Sequence, residues 1–272
     1  MRIYTRSGDL AFKTFTFPDG QPHFKLETYE VDFRDVTIET AIRNPAELLQ
    51  VLLASEVLRR HGYASVSLDI RYLLGARMDR AIDTSQPFTL DVVARLINGA
   101  GFNKVRILDV HSEVALRLIR NSQNILPTNV FGQVVIQFWG KSTSIVVPDK
   151  GAVDRVEALM KGFGAHMVYC KKDRDVATGK LLNFTVPEKV QKNCLIVDDI
   201  CDGGGTFVGL AKELRKAGAE KVYLFVTHGI FSKGTRLEGI DHIYTTTSYG
   251  IEHEQRVYNG DVTWIPISMK EL

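Results

Sequence analysis

The chain has 272 residues, of which 44% are hydrophobic and 24% charged, so it can form one large core or two ordinary ones. Its 34 lysines and arginines nearly balance its 32 aspartates and glutamates, which argues against a protein that holds nucleic acid by bulk charge. The sequence contains no apolar run of about 18 residues, and its three cysteines form no CxxC pair. These features predict a soluble cytoplasmic protein with neither a membrane nor a nucleic acid as partner.

The predicted elements alternate between short β-branched runs and longer amphipathic stretches. In chain order they are a helix over 46–61, a strand over 65–72, a helix over 89–98, a strand over 104–110, a strand over 144–147, a helix over 153–162, a strand over 194–198, a helix over 206–217 and a strand over 221–227. Such alternation is typical of βαβ units with parallel sheets, which place ligands at the carboxyl ends of their strands. The predicted fold class is therefore α/β.

The sequence predicts two domains rather than one continuous sheet. Both halves contain a strand, an acidic loop and a helix in that order, as in VRILDVHSE and CLIVDDICDGGG. Trp139, Gly140 and Lys141 interrupt the pattern between these halves. We therefore expect one domain over residues 1–140 and a second over residues 141–272.

The segment VDDICDGGGTFVGL carries the strongest site signal. Asp198 and Asp199 end a predicted strand, Asp202 follows, and Thr206 begins a helix. The glycines between them are Gly203, Gly204 and Gly205. Glycine backbone N–H groups, the helix N-terminus and the Thr206 hydroxyl together suit a phosphate group.

The adjacent acids narrow the ligand that this loop could bind. The carboxylates of Asp198 and Asp199 repel phosphate, so they require sugar hydroxyls, a divalent metal or both. A phosphate beside a diol describes a ribose 5-phosphate group. A strand-to-helix turn whose aspartates only cap the helix is the alternative interpretation. The order of two acids, a third acid, three glycines and threonine favours the binding site.

This segment resembles the ribose-phosphate signature of type I phosphoribosyltransferases and, more closely, that of ribose-phosphate pyrophosphokinases. The stretch THGIFS at residues 227–232 resembles a segment of the same family after the next strand. The resemblance covers about residues 16–235. It implies two stacked phosphoribosyltransferase-like domains, each with a mainly parallel sheet flanked by helices. The first would carry the ATP-binding loops and the second the ribose-phosphate loop.

Residues 17–21, FPDGQ, resemble a family loop that reaches the adenine of a neighbouring subunit. The resemblance implies that Phe17 stacks on the base and that Asp19 and Gln21 contact its edge. It also implies a homo-oligomer. Because the chain is shorter than typical members, we expect at least a dimer rather than the usual hexamer. A surface turn built on Pro-Asp-Gly is the alternative.

Two further segments resemble the family's loops for Mg-ATP. Residues 76–80, ARMDR, resemble Ala-Arg-Gln-Asp-Arg, which implies that Arg77 holds the ATP phosphates beside Asp79. Residues 109–112, DVHS, resemble Asp-Leu-His, which implies that His111 ligates the metal or holds a phosphate. A solvated basic turn and a structural histidine are the alternatives.

The remaining matches lie in the second predicted domain. Asp149, in PDKG, corresponds to a family aspartate at the second metal site. Residues 171–174, KKDR, lie where the family has a strand followed by a mobile catalytic loop. The resemblance implies that Lys171 is the catalytic lysine and that Arg174 is a second cation. A plain turn and a solvated charged loop are the alternatives.

The resemblance implies a Mg²⁺-dependent diphosphokinase that transfers diphosphate from ATP to the C1 hydroxyl of ribose 5-phosphate. Asp198 and Asp199 would hold the ribose hydroxyls and metal, and no dedicated nucleophile is required. Gly203 replaces a family threonine, which opens space for a bulkier 5′ substituent. ADP-ribose is therefore an alternative acceptor, whose product suits the rebuilding of NAD from nicotinamide. A non-catalytic regulatory relative and an ordinary phosphoribosyltransferase are further hypotheses, disfavoured by the number of matching segments.

Overall fold

The computed structural model describes residues 1–27, 34–138, 140–174, 181–187, 189–250 and 257–272. The chain forms two compact units, Met1–Ile125 and Leu126–Leu272. The boundary between the units thus lies before residue 140, where the sequence predicted it, because the helix that follows Ile125 packs on the second sheet. The ring of Phe131 in this helix lies 5.1 Å from that of Phe225, centroid to centroid.

The first unit contains a mainly parallel sheet with helices packed against it. Its elements are β1 (Arg2–Tyr4), β2 (Phe12–Thr16), β3 (Pro22–Leu26), β4 (Asp35–Ala41), α1 (Pro45–Arg60), β5 (Ser65–Tyr72), α2 (Thr89–Gly99), β6 (Lys104–Leu108), α3 (Val114–Leu118) and β7 (Ser122–Ile125). The sheet order is β1-β4-β5-β6-β7, with only β1 antiparallel among these strands. Strands β2 and β3 form a separate hairpin.

Local sequence explains the two long helices of this unit. Asn44 caps α1 by accepting the Glu47 N–H at 3.0 Å, and Pro45 occupies the first turn. In α2 the buried residues follow a helical period, so one face covers the sheet. These residues are Leu90, Val93, Ala94 and Ile97. The core between helices and sheet is closed by fully buried residues such as Ile38, Leu68 and Ile107.

A buried charged cluster joins three strands of the first sheet. The Asp69 carboxylate accepts the Tyr4 hydroxyl at 2.8 Å and Arg106 Nε–H at 2.8 Å. Asp69 is 1% exposed, so its charge is compensated within the protein rather than by water. Burial, followed by the Asp69 charge, raises the pKa of Tyr4. This cluster links β1, β5 and β6.

The second unit contains the larger sheet. Its elements are α4 (Thr128–Val135), β8 (Thr143–Val147), α5 (Val153–Leu159), β9 (His166–Tyr169), β10 (Lys171–Arg174), β11 (Leu181–Thr185), β12 (Asn193–Cys201), α6 (Gly205–Lys216), β13 (Lys221–Gly229), β14 (His242–Thr246), β15 (Val257–Asn259) and β16 (Val262–Ile265). The order is β15-β16-β14-β13-β12-β8-β9, and only the edge strand β15 is antiparallel among these strands. One apolar face of α6 packs into the core beside this sheet.

The structure confirms the α/β prediction and corrects several element bounds. Strand β12 continues through Cys201, beyond its predicted end at Asp198, so both acids of the pair lie within the strand. Residues 171–174, expected in a charged loop, instead form β10 and pair with β11 in an antiparallel hairpin. Among the described residues, no helix is both long and apolar enough to cross a membrane. All three cysteines are buried and free.

Candidate functional site

The glycine loop joins β12 to α6 at the carboxyl edge of the second sheet. Gly204 precedes the helix with φ +74° and ψ −6°, a left-handed conformation that favours glycine. A Cβ at this residue would lie 2.3 Å from Leu237 Cδ2, so both the backbone and the packing require glycine. Helix α6 begins at Gly205. The Phe207 N–H donates to the Gly204 carbonyl at 3.0 Å, whereas the N–H groups of Gly205 and Thr206 precede the first such bond and point out of the helix end. The loop therefore offers N–H donors to an anion.

Asp198 and Asp199 are held by an arginine that the sequence did not indicate. Arg155 Nη1 lies 3.6 Å from Asp198 Oδ1, and its Nη2 lies 3.6 Å from Asp199 Oδ2. The Arg155 side chain is only 9% exposed, so it is a built part of the site. Burial, and then the charge of Asp199, raise the pKa of Asp198 well above its usual value, while Arg155 opposes this shift. The carboxylate pair is thus poised to interact with a cation or with hydroxyl donors.

Lys172 connects the glycine loop with the loop that follows β8. Its Nζ lies 3.4 Å from Thr206 Oγ1 and 3.5 Å from Asp149 Oδ2. The other oxygen of Asp149 accepts the Gly151 N–H at 2.9 Å, which fixes the carboxylate. The Lys172 side chain is 11% exposed, whereas Lys171, the neighbouring residue of β10, is exposed. The structure therefore brings Lys172 to the glycine loop. It describes only the backbone of Arg174.

The site residues predicted in the first unit occupy two loops at one edge of its sheet. Arg77 and Asp79 follow β5, and His111 follows β6, the parallel neighbour of β5. Arg77 and His111 are exposed, and Asp79 is half-buried. Asp109 directly follows β6 and has φ +41°, and Asn124 Oδ1 accepts the next N–H, that of Val110, at 2.9 Å. A left-handed aspartate is uncommon and turns the chain sharply before His111.

The FPDGQ segment forms the tip of the β2–β3 hairpin. Phe17 N–H donates to the Gln21 carbonyl and Gly20 N–H to the Phe17 carbonyl, each at 2.8 Å, which closes the turn. Asp19 Oδ1 accepts the Gln21 N–H at 3.0 Å. The Phe17 side chain is 41% exposed and its ring lies 4.9 Å from that of Phe15. The tip thus presents an aromatic surface to solvent.

The carboxylates of the second unit suit a hard divalent cation. Oxygen donors such as Asp198, Asp199 and Asp149 are the ligands that Mg²⁺ takes, usually one or two of them beside water and substrate phosphates. The described part of the chain contains no cluster of three or more His, Cys, Asp or Glu side chains able to hold an ion. Carboxylates in this number leave coordination positions for water and for phosphate oxygens, so the donor set suits a cation that also binds a phosphorylated substrate.

Two residues of this site, Arg155 and Lys172, were missed because their roles depend on three-dimensional pairing. Strand β8 lies beside β12, so helix α5, which follows β8, starts near the end of β12. Arg155 lies in the first turn of that helix. Lys172 faces the loop because β10 pairs with β11 in a fixed register. The sequence does show that Arg155 shortly follows the PDKG turn, but this spacing alone does not reveal which side chains it contacts.

Comparisons with known proteins agree with this architecture. The phosphoribosyl transferase domain family matches residues 126–257. A ribose-phosphate pyrophosphokinase of Pyrococcus furiosus is 30% identical over 220 residues, covering 80% of this chain and 77% of the relative. One from Hyphomonas neptunium is 31% identical over 268 residues, which cover 93% of this chain and 83% of the relative. The crystal structure of phosphoribosylpyrophosphate synthetase from Mycobacterium smegmatis has the same fold, with a TM-score of 0.79 and 20% sequence identity. The match covers 94% of this chain and 86% of that structure.

Proposed function

This chain belongs to the ribose-phosphate pyrophosphokinase family, and we propose that it transfers the β,γ-diphosphate of ATP to the C1 hydroxyl of a ribose 5-phosphate group. The C1 oxygen attacks the β-phosphorus in line, and the bond from that phosphorus to the α,β-bridging oxygen breaks. AMP leaves with the bridging oxygen, and the hydroxyl proton passes to solvent. The products are phosphoribosyl pyrophosphate and AMP. The observation that carries this proposal is the convergence of Asp198, Asp199, Lys172 and the Gly203–Thr206 loop at one sheet edge.

Residues of the second unit would bind and orient the acceptor. The N–H groups of the loop, the Thr206 hydroxyl and Lys172 suit the 5-phosphate, which is a compact dianion. Asp198 and Asp199 suit the ribose hydroxyls, since carboxylates accept hydrogen bonds from a diol. Arg155 keeps these two carboxylates together in a defined geometry. Such positioning lowers the barrier by reducing the entropy lost on reaching the transition state.

Asp198, Asp199 and Asp149 of the second unit would contribute ligands to Mg²⁺ beside substrate phosphates, and His111 of the first unit remains a proposed ligand of the metal of Mg-ATP or of a phosphate. When bound, Mg²⁺ neutralises charge on the diphosphate that is transferred. The proposed contacts for the ATP phosphates remain Arg77 and Asp79. The proposed contacts for adenine are Phe17, Asp19 and Gln21, which would bind the base in a neighbouring subunit of a homo-oligomer. Lys171 and Arg174 remain the proposed cations on the diphosphate.

The proposed reaction is tested by following AMP formation from ATP, Mg²⁺ and ribose 5-phosphate. Chromatography measures AMP, and ³¹P NMR identifies the new diphosphate ester at C1. Omission of Mg²⁺, or the substitution Asp199→Asn, is expected to reduce the rate at least about 100-fold. Binding of a non-hydrolysable ATP analogue without AMP release would instead support a regulatory relative. Failure to bind that analogue would support an ordinary phosphoribosyltransferase.

A second acceptor, ADP-ribose, is favoured by Gly203. This glycine lacks the side chain that the family's threonine would place in the loop, so the 5-phosphate can continue into another phosphoryl group. The chemistry at C1 is unchanged, and the product would be an ADP-ribose that carries diphosphate at C1. Comparison of kcat/KM for AMP release with the two acceptors decides between them. A strong preference for ribose 5-phosphate would exclude this second candidate.

A further inference from the structure

Lys233 lies across the glycine loop at the residue where the loop lacks a side chain. A Cβ added to Gly203 would lie 3.3 Å from Lys233 Cδ and 3.5 Å from its Cε. The distance to Cδ is shorter than ordinary van der Waals contact, so a larger residue at 203 would require the exposed lysine stem to shift by a few tenths of an ångström or more. The glycine at 203 thus makes room for a cationic side chain beside the loop.

The backbone around Lys233 is fixed to the loop rather than free in solvent. The N–H groups of Ile230 and Phe231 both donate to the carbonyl of Cys201, at 2.8 and 3.2 Å. Phe231 is buried against Trp264, with ring centroids 5.5 Å apart. Leu237 is also buried and lies over Gly204. Two buried anchors therefore flank the turn that carries Lys233.

The Lys233 side chain is exposed, and within the part of the chain that the structure describes its ammonium group forms neither a hydrogen bond nor an ion pair, so it is available to an anionic ligand. At the other end of the loop, Lys172 already lies beside Thr206. The loop N–H groups, the Thr206 hydroxyl and Lys172 are sufficient donors for one phosphate. The two lysines approach opposite ends of the same loop, so together they suit an anion longer than a single phosphate.

We propose that Lys233 determines acceptor specificity by binding a second phosphoryl group attached to the 5-phosphate of the acceptor, and that Gly203 is required for this contact. The proposal rests on the proposed function and names its acceptor class as a ribose 5-phosphate whose phosphate continues into a diphosphate. ADP-ribose is the probe for this class. Lys233 is a specificity residue and takes no part in the transfer at C1.

The test compares kcat/KM for ADP-ribose and ribose 5-phosphate in four proteins. These are the wild type, Lys233→Met, Gly203→Thr and the double variant. Methionine keeps most of the apolar stem and removes the charge, whereas threonine crowds the stem at 203. We expect each single substitution to lower the ratio of the two kcat/KM values, ADP-ribose over ribose 5-phosphate, by about tenfold or more. The double variant should lose little beyond either single variant, because both changes remove one contact.

The matched control is Lys216→Met, at the opposite end of α6, where Lys216 pairs with Glu213. This variant should keep the wild-type ratio, and circular dichroism should give all variants native-like thermal transitions. An unchanged ratio in Lys233→Met, or equal losses with both acceptors, overturns the specificity role. A wild type that uses only ribose 5-phosphate also overturns it and leaves the proposed reaction intact.

Calorimetric binding separates failure of this inference from failure of the proposed function. If the wild type releases no AMP with either acceptor, the proposed function fails. The affinity of each protein for ADP-ribose and ribose 5-phosphate still tests Lys233. Selective loss of ADP-ribose affinity in Lys233→Met supports the contact, and equal affinity in wild type and variant refutes it.

Discussion

At the scale of single residues, adjacent lysines of β10 have different surroundings. Lys172 reaches Thr206 and Asp149, whereas Lys171 is exposed on the neighbouring position of the strand. Successive side chains of a strand point to opposite faces, so a one-residue difference changes the partner completely. The family resemblance implied the catalytic role for Lys171, and the position of Lys172 beside the glycine loop makes it the proposed contact of the acceptor phosphate.

We expect Lys172→Met to raise the KM for the acceptor about tenfold or more, because it removes a charge-assisted contact with the 5-phosphate. Lys171→Met should instead lower kcat with little change in acceptor KM, if Lys171 acts on the transferring diphosphate. Steady-state kinetics with varied acceptor at saturating ATP measures both constants. The same kinetic change in both variants would contradict this division of roles.

Gly204 is the loop glycine with the strictest steric requirement. We expect Gly204→Ala to lower the free energy of unfolding by about 2–4 kcal/mol, since it combines a left-handed backbone with a clash against Leu237. Gly205→Ala is the matched control, because a Cβ there meets no atom within 4 Å and lies in a helix. Urea unfolding followed by circular dichroism measures both changes. Equal stabilities of the two variants would contradict the steric argument.

At the scale of elements, helix α5 carries Arg155 to the end of β12. We expect Arg155→Met to destabilise the protein by about 2 kcal/mol, because it leaves Asp198 and Asp199 close together without their arginine. Arg155→Lys keeps the charge and should lose less. Chemical unfolding in Mg²⁺-free buffer measures the difference. Unchanged stability of the methionine variant would show that the arginine does not hold the carboxylate pair.

The sequence predicted those elements whose apolar pattern is local. Phe207, Leu210, Ala211 and Leu214 repeat with a helical period, and they form the buried face of α6. Strand β14 was missed because its buried Thr245 and Thr246 are polar and give no apolar run. The β10–β11 hairpin was missed because β10 is a short run of charged residues with no apolar alternation, which gives no strand signal in the sequence.

In the candidate site too, the sequence indicated the residues whose pattern is local and missed those whose role depends on neighbouring strands. The order of acids, glycines and threonine identified the loop, because each residue type has an intrinsic role there. Arg155 and Lys172 were not identified, since their roles depend on which strands are neighbours and on the pairing register. Lys233 contacts Gly203 through a turn 30 residues later in the chain, which no local pattern contains.

At the scale of the whole molecule, two buried thiols make stability depend on pH in the alkaline range. Burial raises the pKa of Cys194 and of Cys201 to about 12, and nearby groups, Cys170 and Asp202 respectively, add to the shift. The folded state therefore favours the protonated thiol. The protonated thiols therefore contribute to the free energy of unfolding. That contribution is fully present below the unfolded thiol pKa of about 9 and is lost as pH rises towards 12.

We accordingly expect the urea midpoint to fall between pH 8 and pH 10.5, with a smaller fall in Cys194→Ala because one buried thiol no longer ionises on unfolding. Thiol reagents should label the native protein slowly and the urea-unfolded protein rapidly. Equal pH dependence in the wild type and Cys194→Ala would show that Cys194 does not contribute to the alkaline loss.

The close approach of residue 203 and Lys233 also constrains how acceptor choice could evolve. A side chain at 203 would lie in tight contact with the stem of Lys233, so the residue at one position affects which residues fit well at the other. A descendant that gains a side chain at 203 would have to shift the lysine stem, which would weaken the proposed contact with the second phosphoryl group. Acceptor preference would therefore change through paired substitutions, and the two sites should covary among descendants of this chain.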